Sequence, residues 1–184
     1  MFHKKTLVDQ SVITNNLSST LPINFDKINI NILENFYYKN CQNNNDDSYL
    51  KDYYHLEYDK QITWISDYIR DHYRLNYKKT PVLLSFAGLV VRQNESINYH
   101  NHIDEYDLEH SPDMTAVITC KTGDKPSFLE FEYEYARKRH QKHRVLLKTK
   151  QIVMFDSNLR HSYIKNLNHE PVLNLCLKYQ LIEN

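Results

Sequence analysis

A mainly β fold of the jelly-roll type is what this sequence predicts, and three observations predict it. Beyond Pro81 nearly every segment reads as a short strand, turn-forming residues separate those segments, and the one clear helical stripe precedes them. About eight short strands behind a helical region suit a jelly roll better than an alternating βα fold. At 184 residues the chain fits a single domain with a sizeable core. The expected division is helical or irregular support over 1–81 and a jelly-roll core over 82–184.

Taken in order, Leu7 to Asn31 mixes short apolar pieces with Asn and Ser, and Pro22 argues against one continuous helix. Ile28, Ile30 and Ile32 alternate with asparagines and suggest a strand, while Asn40 to Ser48 reads as a solvated loop. From Asp59, a candidate N-cap, Ile62, Ile65, Ile69 and Tyr73 recur at helical spacing, with Trp64 and Tyr68 widening the stripe. This packing helix should end before Pro81, because the residue preceding a proline resists the helical conformation. The expected strands are Val82–Arg92, Ile97–Asp104, Met114–Lys121, Ser127–Tyr135, His143–Lys148, Ile152–Phe155, His161–Lys165 and Val172–Gln180. Turn residues join them, among them Gln93-Asn94-Glu95, Thr122-Gly123-Asp124-Lys125-Pro126 and Asp156-Ser157-Asn158.

Composition narrows the partners. Lysine plus arginine equals aspartate plus glutamate at 23 each, so no global field draws in nucleic acid. No stretch approaches the roughly 20 apolar residues needed to span a bilayer. Cys41, Cys120 and Cys176 form no CxxC or zinc-like spacing, and the last two sit in apolar runs as buried small hydrophobes. An odd cysteine count without a framework, and an N-terminus lacking an apolar signal core, give a cytoplasmic expectation. The excess of Tyr, Asn, Lys and Ile, with only 2 glycines, is read as codon bias rather than function.

The chemistry concentrates in Tyr99-His100-Asn101-His102-Ile103-Asp104. On an extended strand His100, His102 and Asp104 would project to one face, a poor choice for a simple core and a natural one for a divalent metal. A second component lies in Met154–Ser162, where an apolar strand leads through a short turn to His161. A jelly roll folds its halves together, so an early His-x-Asp can meet a histidine on the penultimate strand. Two histidines and one carboxylate on one octahedral face leave positions open, as in non-heme Fe(II) oxygenases. The expected ligands are therefore His102, Asp104 and His161. His100 is the alternate: it could replace His102, leaving Asp104 outside the ligand set, or orient a ligand by a hydrogen bond. The run from Ala136 to Arg144 reads as a solvated basic loop, or more sharply as a rim steering an anionic substrate. His110 is expected in a loop beside the site, one placed to cover the substrate entrance in the manner of other active-site loops.

On these residues the region Leu84–Tyr179 resembles the 2-oxoglutarate/Fe(II)-dependent dioxygenase superfamily, in particular small oxygenases of bacteria and phages. The resemblance rests on His100-Asn101-His102, the following Thr115-Ala116-Val117-Ile118, the stretch Phe155–Ser162 that ends in the distal histidine, and a final strand Val172–Lys178. It implies a double-stranded β-helix, cupin-like, and an oxidoreductase that uses Fe(II), O₂ and 2-oxoglutarate to hydroxylate a small-molecule or peptidyl substrate. Asp104 in the ligand set would argue against halogenation, which needs that position for halide.

One departure stands out. Relatives place an arginine or lysine early on the last strand to pair with the far carboxylate of 2-oxoglutarate, and that position falls near Val172. A buried carboxylate without a cationic partner is strongly disfavoured. Lys121 is the first candidate to replace it, Asn174 could add a neutral hydrogen bond, and Lys178, Arg92 and Arg144 are further candidates. Two other readings follow: a cupin-like metalloenzyme that does not use 2-oxoglutarate, and a non-catalytic jelly-roll binding module.

Overall fold

The short strand-forming segments after Pro81 become two antiparallel sheets lying face to face. The computed structural model describes residues 3–7, 10–16, 53–55, 60–136 and 139–183. Among them the elements are β1 (His3–Leu7), β2 (Gln10–Asn16), β3 (Tyr53–His55), α1 (Lys60–Tyr77), β4 (Lys79–Val91), β5 (Ile97–His100), β6 (Met114–Lys121), β7 (Ser127–Ala136), β8 (Arg139–Leu147), β9 (Gln151–Asp156), β10 (Arg160–Tyr163) and β11 (Val172–Glu183). The strand expected around Ile28–Ile32, the loop Asn40–Ser48, the cap at Asp59 and Cys41 lie outside the described residues.

The larger sheet runs β1-β2-β9-β6-β11-β4-β3 and the smaller β5-β10-β7-β8. Strands β4 to β11 thus pass from sheet to sheet in the double-stranded β-helix order, save for the β7–β8 hairpin within the smaller sheet, with β1–β2 added at one edge of the larger sheet and β3 at the other. The eight strands expected after Pro81 map one for one onto β4–β11. The N-terminal support is not purely helical, because β2 pairs with β9 from Val12↔Phe155 to Asn16↔Gln151. Two neighbouring pieces of the first third, read as irregular, extend the sheet.

Each face of the larger sheet builds its own core. On one face Ala116, Ile118, Met154, Leu173, Leu175, Leu177 and Tyr179 pack against Ile62, Ile65, Ile69 and Tyr73 of α1, the stripe expected from the sequence. On the other, Leu89, Val91, Val117, Val153, Phe155 and Val172 pack against Leu129, Phe131, Val145 and Tyr163 of the smaller sheet. The helix stops at Tyr77, and Lys78 follows with φ 54°, the left-handed conformation common just past a helix end. Cys120 and Cys176 are free and buried in these layers; burial pushes their thiols up, to about 12 and about 11. They behave as core hydrophobes.

Candidate metal centre

Three imidazoles meet where the end of β5 faces β10. His100 closes β5 and His161 lies opposite it on β10. His102 follows the end of β5, and its amide donates to the Ser157 carbonyl at 2.9 Å. Ser157 is itself fixed: its amide donates to Asp113 at 2.9 Å, and its hydroxyl meets that of Thr115 at 2.8 Å. The turn between β9 and β10 therefore carries His161 forward and holds His102 beside it. Phe155 packs edge-on against the His161 ring at 4.7 Å, and Phe131 lies behind both.

Ring centroids are 4.3 Å apart for His100 and His161, 4.9 Å for His102 and His161, and 5.2 Å for His100 and His102. One ligand nitrogen from each lies within 4.8 Å of the others. Backbone carbonyls set two of the tautomers. His161 Nδ1 is 3.0 Å from the Leu159 carbonyl, and His100 Nδ1 is 2.9 Å from that of Asn98. A carbonyl only accepts, so each Nδ1 carries the proton and each Nε2 keeps a lone pair. His161 is 1% exposed, and its Nε2 has no hydrogen-bond partner among the described residues. A buried lone pair beside two further imidazoles is the donor set a divalent transition metal requires.

Electrostatics keep these rings neutral. Burial, then the His100 charge, pushes His161 down to about 3 against an opposing pull from the Leu159 carbonyl, with Lys178 adding to the depression. His102 is held well below its ordinary value by burial, then by His161, Lys178 and His100. His100 is lowered by burial, partly opposed by the Asn98 carbonyl, and again by Lys178. One cation thus disfavours protonation at all three. Lys178 lies on β11 in register with Thr115 of β6 and Ser85 of β4.

Asp104 stands apart from this group. Strand β5 ends at His100, so the alternation that would align residues 100, 102 and 104 does not continue. Asp104 is in an exposed turn, where its Oδ1 accepts the Tyr106 amide at 3.0 Å and its own amide donates to the Ser111 hydroxyl at 2.8 Å. The short strand is a correction to the expected Ile97–Asp104. His110 is in the same loop, paired with Asp107 at 2.8 Å and exposed.

The candidate anchors divide. Lys121 pairs with Glu170 at 3.2 Å, Arg92 with Glu95 at 3.3 Å, and Arg144 with Glu130. Asn174 is fully buried; its Oδ1 accepts from Thr119 Oγ1 at 3.0 Å, while its Nδ2 has no partner among the described residues. The expected basic loop is a correction as well: His140 and His143 belong to strand β8, which pairs along β7. There Glu130 is 3% exposed and accepts from Tyr99, Lys142 and Arg144, a network the sequence reading missed. Its signal was present as the alternating Glu130, Glu132 and Glu134 followed by a basic run.

No protein-family model matches the chain, and no curated protein matches it. Solved structures do. A prolyl-4-hydroxylase of Pseudomonas putida aligns with a TM-score of 0.56 at 13% identity, covering 92% of this chain and 86% of the other. A non-heme monooxygenase, ThoJ, in a nickel complex gives 0.55 at 11% identity, covering 82% and 66%. The non-heme α-ketoglutarate-dependent epimerase SnoN from nogalamycin biosynthesis gives 0.51 at 12%, covering 66% and 56%. The chain thus spans about two thirds of ThoJ and little over half of SnoN. At these identities the likeness is one of fold alone, a double-stranded β-helix.

Proposed function

We propose that this chain is a non-heme Fe(II) oxygenase that uses 2-oxoglutarate and O₂ to hydroxylate a small-molecule or peptidyl substrate. We assign the metal to His100, His102 and His161. The observation that carries the proposal is the convergence of three neutral imidazole donors, one with a buried nitrogen that has no hydrogen-bond partner among the described residues. His102 and His161 belong to the ligand set expected from sequence; His100, the alternate, takes the place given to Asp104. Bound there, Fe(II) would supply coordination of a 2-oxo acid and activation of O₂.

The chain's own residues set up that chemistry. The Asn98 and Leu159 carbonyls fix two rings with the proton on Nδ1 and the lone pair on Nε2. Lys178 offers the positive charge that a 2-oxo acid's carboxylate needs near the histidines, and the Asn174 amide offers a buried donor along the same strand. Lys121 is a weaker anchor because Glu170 already pairs with it.

A specific observation favours a second reading. The three donors include no carboxylate, which suits a cupin-like oxygenase that does not use 2-oxoglutarate. Anaerobic titration with Fe(II) and then 2-oxoglutarate separates the two. A weak visible charge-transfer band, with succinate release under air, supports the 2-oxoglutarate enzyme; iron uptake with neither supports the cupin-like one. His100→Ala and His161→Ala should each weaken metal binding by more than about 100-fold, whereas Asp104→Ala should leave it nearly unchanged. Binding lost in Asp104→Ala and kept in His100→Ala would restore the carboxylate to the centre.

A further inference from the structure

Strand β5 carries a ligand on a weak ladder. It has 4 residues, sits at the edge of the smaller sheet, and pairs with β10 only at His161↔His100 and Tyr163↔Ile97, with an irregularity between them. A slip of one residue would turn His100 to the outer face. Backbone pairing alone therefore specifies the position of His100 poorly.

The outer face supplies what the ladder lacks. Tyr99, next to His100, points outward and donates its hydroxyl to Glu130 of β7, reaching across β10. The β10 residue opposite Glu130 is Ser162, whose small buried side chain leaves the phenol room to cross. Lys142 of β8 lies 4.9 Å above the Tyr99 ring and 3.1 Å from Glu130, and Arg160 of β10 lies 5.8 Å from the same ring. Arg144 binds the other Glu130 oxygen. All four strands of the smaller sheet thus contribute to one contact, and its outermost member adjoins the ligand.

We propose that the Tyr99–Glu130 contact is a register clamp that positions His100 in the metal centre. The inference rests on the function proposed above. Neither residue touches the metal; both act through His100, on the opposite face of the sheet.

The test titrates the metal-free full chain with Co(II) alone, following its visible absorption. Tyr99→Phe should raise the Co(II) dissociation constant about tenfold, the scale of losing a residue that orients a ligand. Its absorption should weaken as water replaces His100, and amide exchange over residues 97–100 should quicken. Arg144→Met removes a bond to Glu130 that does not run through β5. It should lower thermal stability yet leave Co(II) affinity within about twofold. Unchanged affinity in Tyr99→Phe, or an equal loss in Arg144→Met, overturns the clamp. A wild-type chain that takes up no Co(II) overturns the metal centre first, and the clamp with it.

Discussion

Glu130 illustrates how one side chain's surroundings decide its chemistry. Burial alone would raise its carboxyl, but hydrogen bonds from Tyr99, Arg144 and Lys142 overcome that and hold it down to about 2, against an ordinary 4.5. A carboxyl depressed on folding stabilises the native state above its unfolded value and loses that contribution as acid protonates it. The loss should therefore run from about pH 4.5 down through about pH 2. Glu130→Gln has no charge to titrate there. Urea unfolding at pH 5 and at pH 2.5 should show a larger drop for the wild type than for the variant; equal drops would mean that other carboxylates carry the acid sensitivity. The histidines of the centre illustrate the opposite case, imidazoles kept neutral by burial and by one another, ready to donate lone pairs.

At the scale of elements, the loop after β6 is held by side chains rather than by a ladder. Asn168 Oδ1 accepts the Lys125 amide at 2.6 Å, while its Nδ2 donates to the Lys125 carbonyl at 3.1 Å and to Asn166 Oδ1 at 2.9 Å. Gly123 lies directly against that side chain: a Cβ there would stand 2.4 Å from Asn168 Cγ. Because Asn168 is tethered on both sides, it cannot yield without breaking these bonds. Gly123→Ala should thus cost about 1–3 kcal/mol in urea unfolding, and much less in an Asn168→Gly background, where the Asn168 Cβ, 2.6 Å from the added methyl, is removed with the rest of the side chain. Additive costs in the double variant would place the strain elsewhere. The same scale explains what could be read from sequence. Short runs of strand-forming residues bounded by turn residues located β4–β11, several of them buried on both faces, and the isoleucine stripe, which records burial on one side, located α1. Alternation could not say where β5 stops, since that depends on the bond from His102 to Ser157, a residue 55 positions away in Thr115's company. Without that long-range contact Asp104 looked aligned with the histidines. The basic first half of β8, residues 139–142, looked like a loop because its partner, the acidic face of β7, is supplied by another strand.

For the molecule as a whole, the centre joins the sheets. His100 and His161 belong to the smaller sheet, while Ser157, which holds His102, is fixed to Thr115 of the larger one. An ion shared by these histidines would cross-link elements far apart in the chain, and a ligand bound by the folded state alone stabilises it by mass action. At a hundredfold excess over its dissociation constant the gain is about 2.7 kcal/mol, which for a chain of this size corresponds to roughly 5–10 °C in Tm. Nickel or cobalt in the absence of oxygen should produce that rise, and a chelator should reverse it. His161→Ala should remove the metal-dependent increment whatever it does to the metal-free Tm, because the increment counts ligation and the baseline counts packing. Asp104→Ala should keep the increment. A rise that survives His161→Ala would mean that the metal stabilises the fold from some other place, since these three rings could then no longer be its shared site.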